Sequence, residues 1–125
     1  MARTSTTLTG QELAIMKVIW ARKDATVREV YETLRERRRI AYTTVMTMMN
    51  ILESKGYLKR EPHGRAYRYR PVQPESRVMK SMVREFVDRV FDGASRPLLA
   101  HLATDTRLSK TERAELRRLI DEAKS

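Results

Sequence analysis

Apolar residues between Ala41 and Ser54 fall at Val45, Met48, Met49 and Leu52, the i, i+3, i+4, i+7 spacing of one helix face. About half a turn away lie Thr43, Thr47, Asn50 and Ser54, with Thr44 and Met46 on the flanks. This stretch predicts a helix with a core stripe on one side and a small, polar, uncharged surface on the other. Lys55-Gly56 reads as its stop, because Gly tolerates the left-handed conformation of a helix cap. Tyr57 to Arg60 then reads as a strand, Pro62-His63-Gly64 as a turn, and Ala66 to Arg70 as a second strand alternating at period two. Tyr67 and Tyr69 face one way on that strand, and Arg68 and Arg70 the other.

Upstream, Thr9-Gly10-Gln11-Glu12 has the form of a capping box and opens a helix to about Ala21, with Leu13, Met16, Val18, Ile19 and Trp20 on its apolar side. Trp20 is the single tryptophan and reads as a core anchor. Arg22 to Ala25 is a polar turn. Thr26-Val27-Arg28-Glu29 repeats the capping box and starts a second helix, with Val27, Val30, Tyr31 and Leu34 inward and Arg35, Arg37, Arg38 and Arg39 at its end. Past Pro71 the pattern changes. Val78, Met82, Phe86 and Val90 recur every four residues from Arg77 to Asp92, flanked by Met79, Val83, Val87 and Phe91, and Gly93 ends the run. A short helix is predicted from Ser95-Arg96-Pro97. Ser109-Lys110-Thr111-Glu112 is a third capping box, opening a final helix with Leu116, Leu119 and Ile120.

These elements divide the 125 residues into a flexible tail (1–8), a helix-turn-helix domain with a hairpin wing (9–73) and a helical appendage (74–125). The fold class is mainly α with a small β-hairpin. Three amphipathic helices in about 50 residues hardly make a core alone. Packed against a second copy they do, so Val78, Met82, Phe86, Val90, Leu98, Leu102, Leu116, Leu119 and Ile120 are the expected homodimer interface.

Charge sharpens this picture. The chain carries +10, with 15 basic and 7 acidic residues over 1–73 against 11 and 9 over 74–125. The positive field therefore sits on the half holding the uncharged helix face, which suits a polyanionic partner. A solvated helix face usually carries Glu and Lys. A face of Thr, Asn and Met surrounded by arginines suits a DNA major groove, where hydroxyl, amide and methyl groups meet base edges and cations meet phosphates. The basic hairpin alone also fits a solvated edge strand, since such edges often carry charge. Four arginines over residues 35–39 exceed what a helix dipole calls for, and phosphate contact is expected for some of them.

Other functions find little footing. With no cysteine, a disulfide framework, a thiolate metal site and cysteine catalysis are excluded. The four glycines are too dispersed for a phosphate loop, and His63 and His101 lack neighbours at metal-ligand spacing. No enzyme activity, metal or cofactor is expected. Residues 1–7 are polar rather than a secretory signal, and no apolar run reaches membrane-spanning length, so the expected location is the cytoplasm.

In order and spacing, the sequence resembles the penicillinase-repressor (BlaI/MecI-type) winged-helix regulators. The resemblance runs from Leu8 to about Ala123. It rests on Glu12, Ile15-Met16 and Trp20, on Val27 to Val30, on Ala41 to Thr47 leading into Leu52, Lys55 and Gly56, and on Arg65 to Pro71. It implies a homodimer that represses transcription at a palindromic operator, commonly beside beta-lactamase or related resistance genes. By position, Thr43, Thr44, Met46, Thr47 and Asn50 would face bases. Arg65 with Lys55 would serve phosphates or the wing; apart from the resemblance, Arg28, Arg37, Arg38, Arg39, Arg60 and Arg68 are also expected at the DNA backbone or wing. Classical members carry an Asn-Phe bond in the fifth helix that a membrane sensor protease cuts. His101-Leu102 stands at that place here, by the spacing back from Leu108-Ser109. Related copper-responsive repressors use a cysteine-rich tail, which this chain lacks. The mode of induction stays open. The alternative from a different class is a nonspecific basic protein bound to RNA or to the chromosome, with Tyr67 and Tyr69 stacking on unpaired bases.

Overall fold

A computed structural model describes residues 8–105 and 107–123. Among the described residues, six helices and three strands follow one another as α1 (Gly10–Arg22), β1 (Ala25–Thr26), α2 (Val27–Leu34), α3 (Tyr42–Ser54), β2 (Leu58–His63), β3 (Ala66–Pro71), α4 (Glu75–Val90), α5 (Ser95–Ala103) and α6 (Lys110–Ala123). The chain falls into two compact units, 1–83 and 84–125.

All three capping boxes form. Thr9 and Glu12 exchange backbone and side-chain bonds at the start of α1. Thr26 and Glu29 do so for α2, and Ser109 and Glu112 for α6. At the far end of α3, Gly56 has φ 88°. The amides of Gly56 and Tyr57 return to the carbonyls of Glu53 and Leu52 at 3.0 and 2.9 Å. This is a Schellman cap, and it turns the chain from α3 into the wing.

The first unit closes around Ile15, Met16 and Ile19 of α1, Val30 of α2 and Val45, Met49 and Leu52 of α3, each with no exposed surface. Leu58 and Tyr69 bring the sheet onto that core. Trp20 packs partly buried against it, and its indole N–H donates to the Gln73 carbonyl at 3.1 Å. In the second unit Val87 is buried, whereas α5 and α6 have no buried residue among those described.

Several expectations shift. The wing is a three-stranded antiparallel sheet in the order β1-β3-β2, because Ala25, expected in a polar turn, and Thr26, expected only as a helix cap, pair with Tyr69 and Arg68. Two residues are too short to show alternation. The hairpin turn is Gly64-Arg65 rather than Pro62-His63-Gly64, for the ladder runs to His63 opposite Ala66. Pro62 is tolerated because β2 is an edge strand, where a missing N–H breaks no ladder. Gly64, at φ 62°, occupies the first loop position, where a type II′ hairpin turn calls for glycine. Helix α2 stops at Leu34, so Arg35, Arg37 and Arg38 lie in the turns beyond it and Arg39 in irregular chain. Of the expected tail, residues 1–7 lie outside the described residues, and Leu8 is a core residue at 5% exposure. Val78, expected in the dimer interface, is 3% exposed within the core of its own chain, and Met82 packs partly buried against that core. Both belong to the first unit, to which the earlier part of α4 contributes.

Candidate nucleic-acid interface

Helix α3 presents the anticipated two faces. Val45, Met49 and Leu52 are sealed, while Thr43, Thr44, Met46, Thr47 and Asn50 are exposed. The exposed side carries no ionisable group from Thr43 to Ile51. Its N-cap is Ala41, which makes no side-chain bond to the first-turn amides, so no cap side chain satisfies those donors. Tyr42, in the first turn, stacks edge-on against Tyr31 of α2 at 5.5 Å between ring centroids. The Arg28 guanidinium lies 5.9 Å from the Tyr42 ring and Arg35 lies 5.4 Å from the Tyr31 ring. Glu32 accepts from Arg28 at 3.2 Å. This cation–aromatic stack braces the start of α3 against α2, and nothing in the α3 sequence alone signalled it.

The eight basic residues assigned to the DNA backbone separate into two groups. Arg37, Arg38, Arg39 and Arg65 are exposed and make no ion pair among the described residues. Arg65 stands at the hairpin turn. Arg37 and Arg38 share an open cleft of about 410 Å³ with Lys17 and Arg22 of α1. The other four each have an acidic partner within the chain. Lys55 does not extend toward solvent: its Nζ donates to both carboxylate oxygens of Glu12, at 2.9 and 3.1 Å. Glu12 is 4% exposed, and a carboxylate so placed needs a cation. Arg68 donates to Asp24 Oδ1 from Nε and Nη2 at 2.9 and 2.7 Å, and to Glu29 Oε1 at 3.0 Å. It therefore ties β3 to the α1–α2 connection. Arg60 sits 4.5 Å from the Tyr67 ring centroid and 3.6 Å from Glu53. Arg28 pairs with Glu32 yet stays largely exposed.

Two glutamates organise this scaffold. Burial raises the Glu12 pKa, but the Thr9 amide and the Lys55 ammonium outweigh it, leaving the group below its ordinary value. Glu29 is held low first by the Thr26 amide of its capping box, then by Arg68 and Arg22. Each thus caps a helix and anchors a cation from a distant segment. The capping role is legible in the sequence; the cation partners, 39 to 43 positions away, are not.

The alternating tyrosines also part company. Tyr69 is 3% exposed and Tyr67 is 44% exposed, since the hairpin projects beyond the core. In the second unit Phe86, Val90, Leu102 and Leu119 are exposed, and Leu98, Leu116 and Ile120 are half-buried. His101 and Leu102 lie inside α5, with the His101 ring 6.0 Å from that of Phe91.

An exposed uncharged helix, a basic hairpin and a helix pair bracing them form a winged helix-turn-helix. The family model described as "penicillinase repressor" matches residues 8–122. The chain belongs to the penicillinase repressor family. That places it among DNA-binding transcriptional repressors, a family without enzymatic function. It is 34% identical over 119 residues to the transcriptional regulator BlaI of Mycobacterium tuberculosis, covering 94% of this chain and 85% of that one. The solution structure of the DNA-binding domain of the repressor BlaI aligns at 31% identity with a TM-score of 0.54, over 60% of this chain and 92% of that domain. A mutant MarR from E. coli, complexed with operator DNA, aligns at 15% identity with a TM-score of 0.53, over 93% of this chain and 75% of its own. That last likeness concerns the fold alone. Among the described residues, no helix of this penicillinase repressor family member is long and apolar enough to cross a membrane.

Proposed function

We propose that the chain binds a palindromic operator as a homodimer, with α3 in the major groove and the β2–β3 wing along the backbone, and so blocks transcription. The observation that carries this reading is the exposed, uncharged face of α3 on the more basic half of the chain. Thr43, Thr44, Met46, Thr47 and Asn50 face bases. Arg37, Arg38, Arg39 and Arg65 serve phosphates, with Arg28 beside Tyr42 as a further contact. Lys55, Arg60 and Arg68 act inside the protein, holding α3 and the wing in place. Residues 74–125 contribute the self-association surface through Phe86, Val90, Leu98, Leu102, Leu116, Leu119 and Ile120. Three helices with so little buried of their own need a second copy to cover these side chains. Such a repressor works with the DNA in the cytoplasm.

A footprint on the DNA upstream of its own gene, at roughly physiological salt and with random competitor, tests the proposal. Two protected half-sites related by a dyad, about one or two helical turns apart, are expected. Diffuse protection that the competitor removes would instead support a nonspecific nucleic-acid binder, with the exposed Tyr67 beside Arg60 as its stacking surface.

A further inference from the structure

A hydrogen bond joins the wing to the reading helix, and its direction constrains what the helix can read. The Tyr69 hydroxyl donates to Asn50 Oδ1 at 3.2 Å. Tyr69 is 3% exposed on the central strand, paired with Ala25 of β1 and Arg60 of β2, so its ring has little freedom. The hydroxyl has one proton, and that proton goes to Asn50. Of the two ends of the Asn50 amide, only the carbonyl oxygen accepts. The oxygen is thus turned toward the wing and the NH2 group toward the exposed side of α3.

We propose that Tyr69 is a positioning residue that sets the hydrogen-bond polarity of Asn50, so that Asn50 selects a base edge presenting acceptors. This rests on the placement of α3 in the major groove given above. An unconstrained asparagine favours adenine, giving a proton to N7 and taking one from the N6 amino group. Here the oxygen needed for N6 is turned toward Tyr69, which leaves the NH2 group to meet the base edge. Guanine presents only acceptors, N7 and O6, to the NH2 group, whereas adenine sets its N6 donor against it, so guanine becomes the preferred base. Cytosine, with its N4 donor, is the worst match.

The test uses the full-length protein. Its preferred site is first selected from randomised duplexes, and affinities are then measured for all four bases at each position. Asn50→Ala identifies the position that Asn50 contacts: the preference there is expected to fall roughly tenfold, the scale of one good base contact. In the wild type that position should favour guanine over adenine. Tyr69→Phe keeps the ring and its burial but releases Oδ1, so adenine should gain on guanine at that one position while other positions and the salt dependence stay unchanged. Thermal melting monitors folding. A wild-type preference for adenine or cytosine there overturns the proposal, and this arm stands even where Tyr69→Phe does not fold. A folded Tyr69→Phe protein with the wild-type profile, or with equal losses on every sequence, also overturns it. A wild type with no preference at any position removes the major-groove reading itself, which is a different outcome from a preference that survives loss of the hydroxyl.

Discussion

Lys55 and Arg65 have the same charge and lie ten positions apart, yet their surroundings give them different work. Lys55 is drawn inward by Glu12, whereas Arg65 projects from the hairpin turn with no anionic partner among the described residues. Arg65→Ala should weaken binding to operator and random DNA alike and lower the slope of log K against log salt by about one, as loss of one phosphate contact does. Lys55→Gln should leave that slope unchanged. It should instead cost roughly 1–3 kcal/mol of stability in urea unfolding, less than a deeply buried pair because Lys55 keeps 24% of its side-chain exposure. A Lys55 variant that lost salt dependence without losing stability would return the residue to the DNA surface. The sequence marked both as basic residues beside the reading helix. It did not separate them, because the partner that decides the matter, Glu12, is 43 residues away.

Among the elements, the local signals held best. Capping boxes at Thr9, Thr26 and Ser109 are chemistry within four residues, and so were readable directly. The same holds for the core stripe of α3 and for its Gly56 stop. What failed to show was pairing: β1 exists because Ala25 and Thr26 find β3, and Pro62 joins β2 because the ladder extends past it. The glutamates that link these elements make the fold sensitive to acid. Glu12 and Glu29 both titrate below the ordinary glutamate value of 4.5 in the folded chain. On acidification the unfolded chain takes up these protons first, so their contribution is complete above that value and is lost as pH falls through the depressed ones. The urea midpoint should therefore hold steady from neutral pH to about pH 5 and then decline. Glu12→Gln should start lower and decline less steeply; a decline parallel to the wild type would mean that Glu12 contributes nothing to it.

At the scale of the whole molecule, charge and apolar surface are segregated. The first 73 residues carry +8 and the remainder +2, while Phe86, Val90, Leu102 and Leu119 stay exposed beyond the first unit. Leu119 is 51% exposed, so Leu119→Asp removes little from the folded chain itself. If a second copy covers it, burying the carboxylate should weaken self-association by at least roughly tenfold. Sedimentation at micromolar concentration should then show monomer, and operator affinity should fall with the loss of the paired half-site. Wild-type protein that already sediments as monomer would remove the homodimer from the proposal.

The sequence by itself determined the helices, their starts, the uncharged face of α3 and the charge imbalance, since all of these follow from residues within a few positions of one another or from a count. Only the tertiary structure decided which basic residues find acidic partners, that Val78 is core, and that Asn50 accepts a hydrogen bond from the buried Tyr69. The physical reason is the same in each case: these outcomes depend on hydrogen bonds, ion pairs and burial between segments distant along the chain, and periodicity carries no information about such partners.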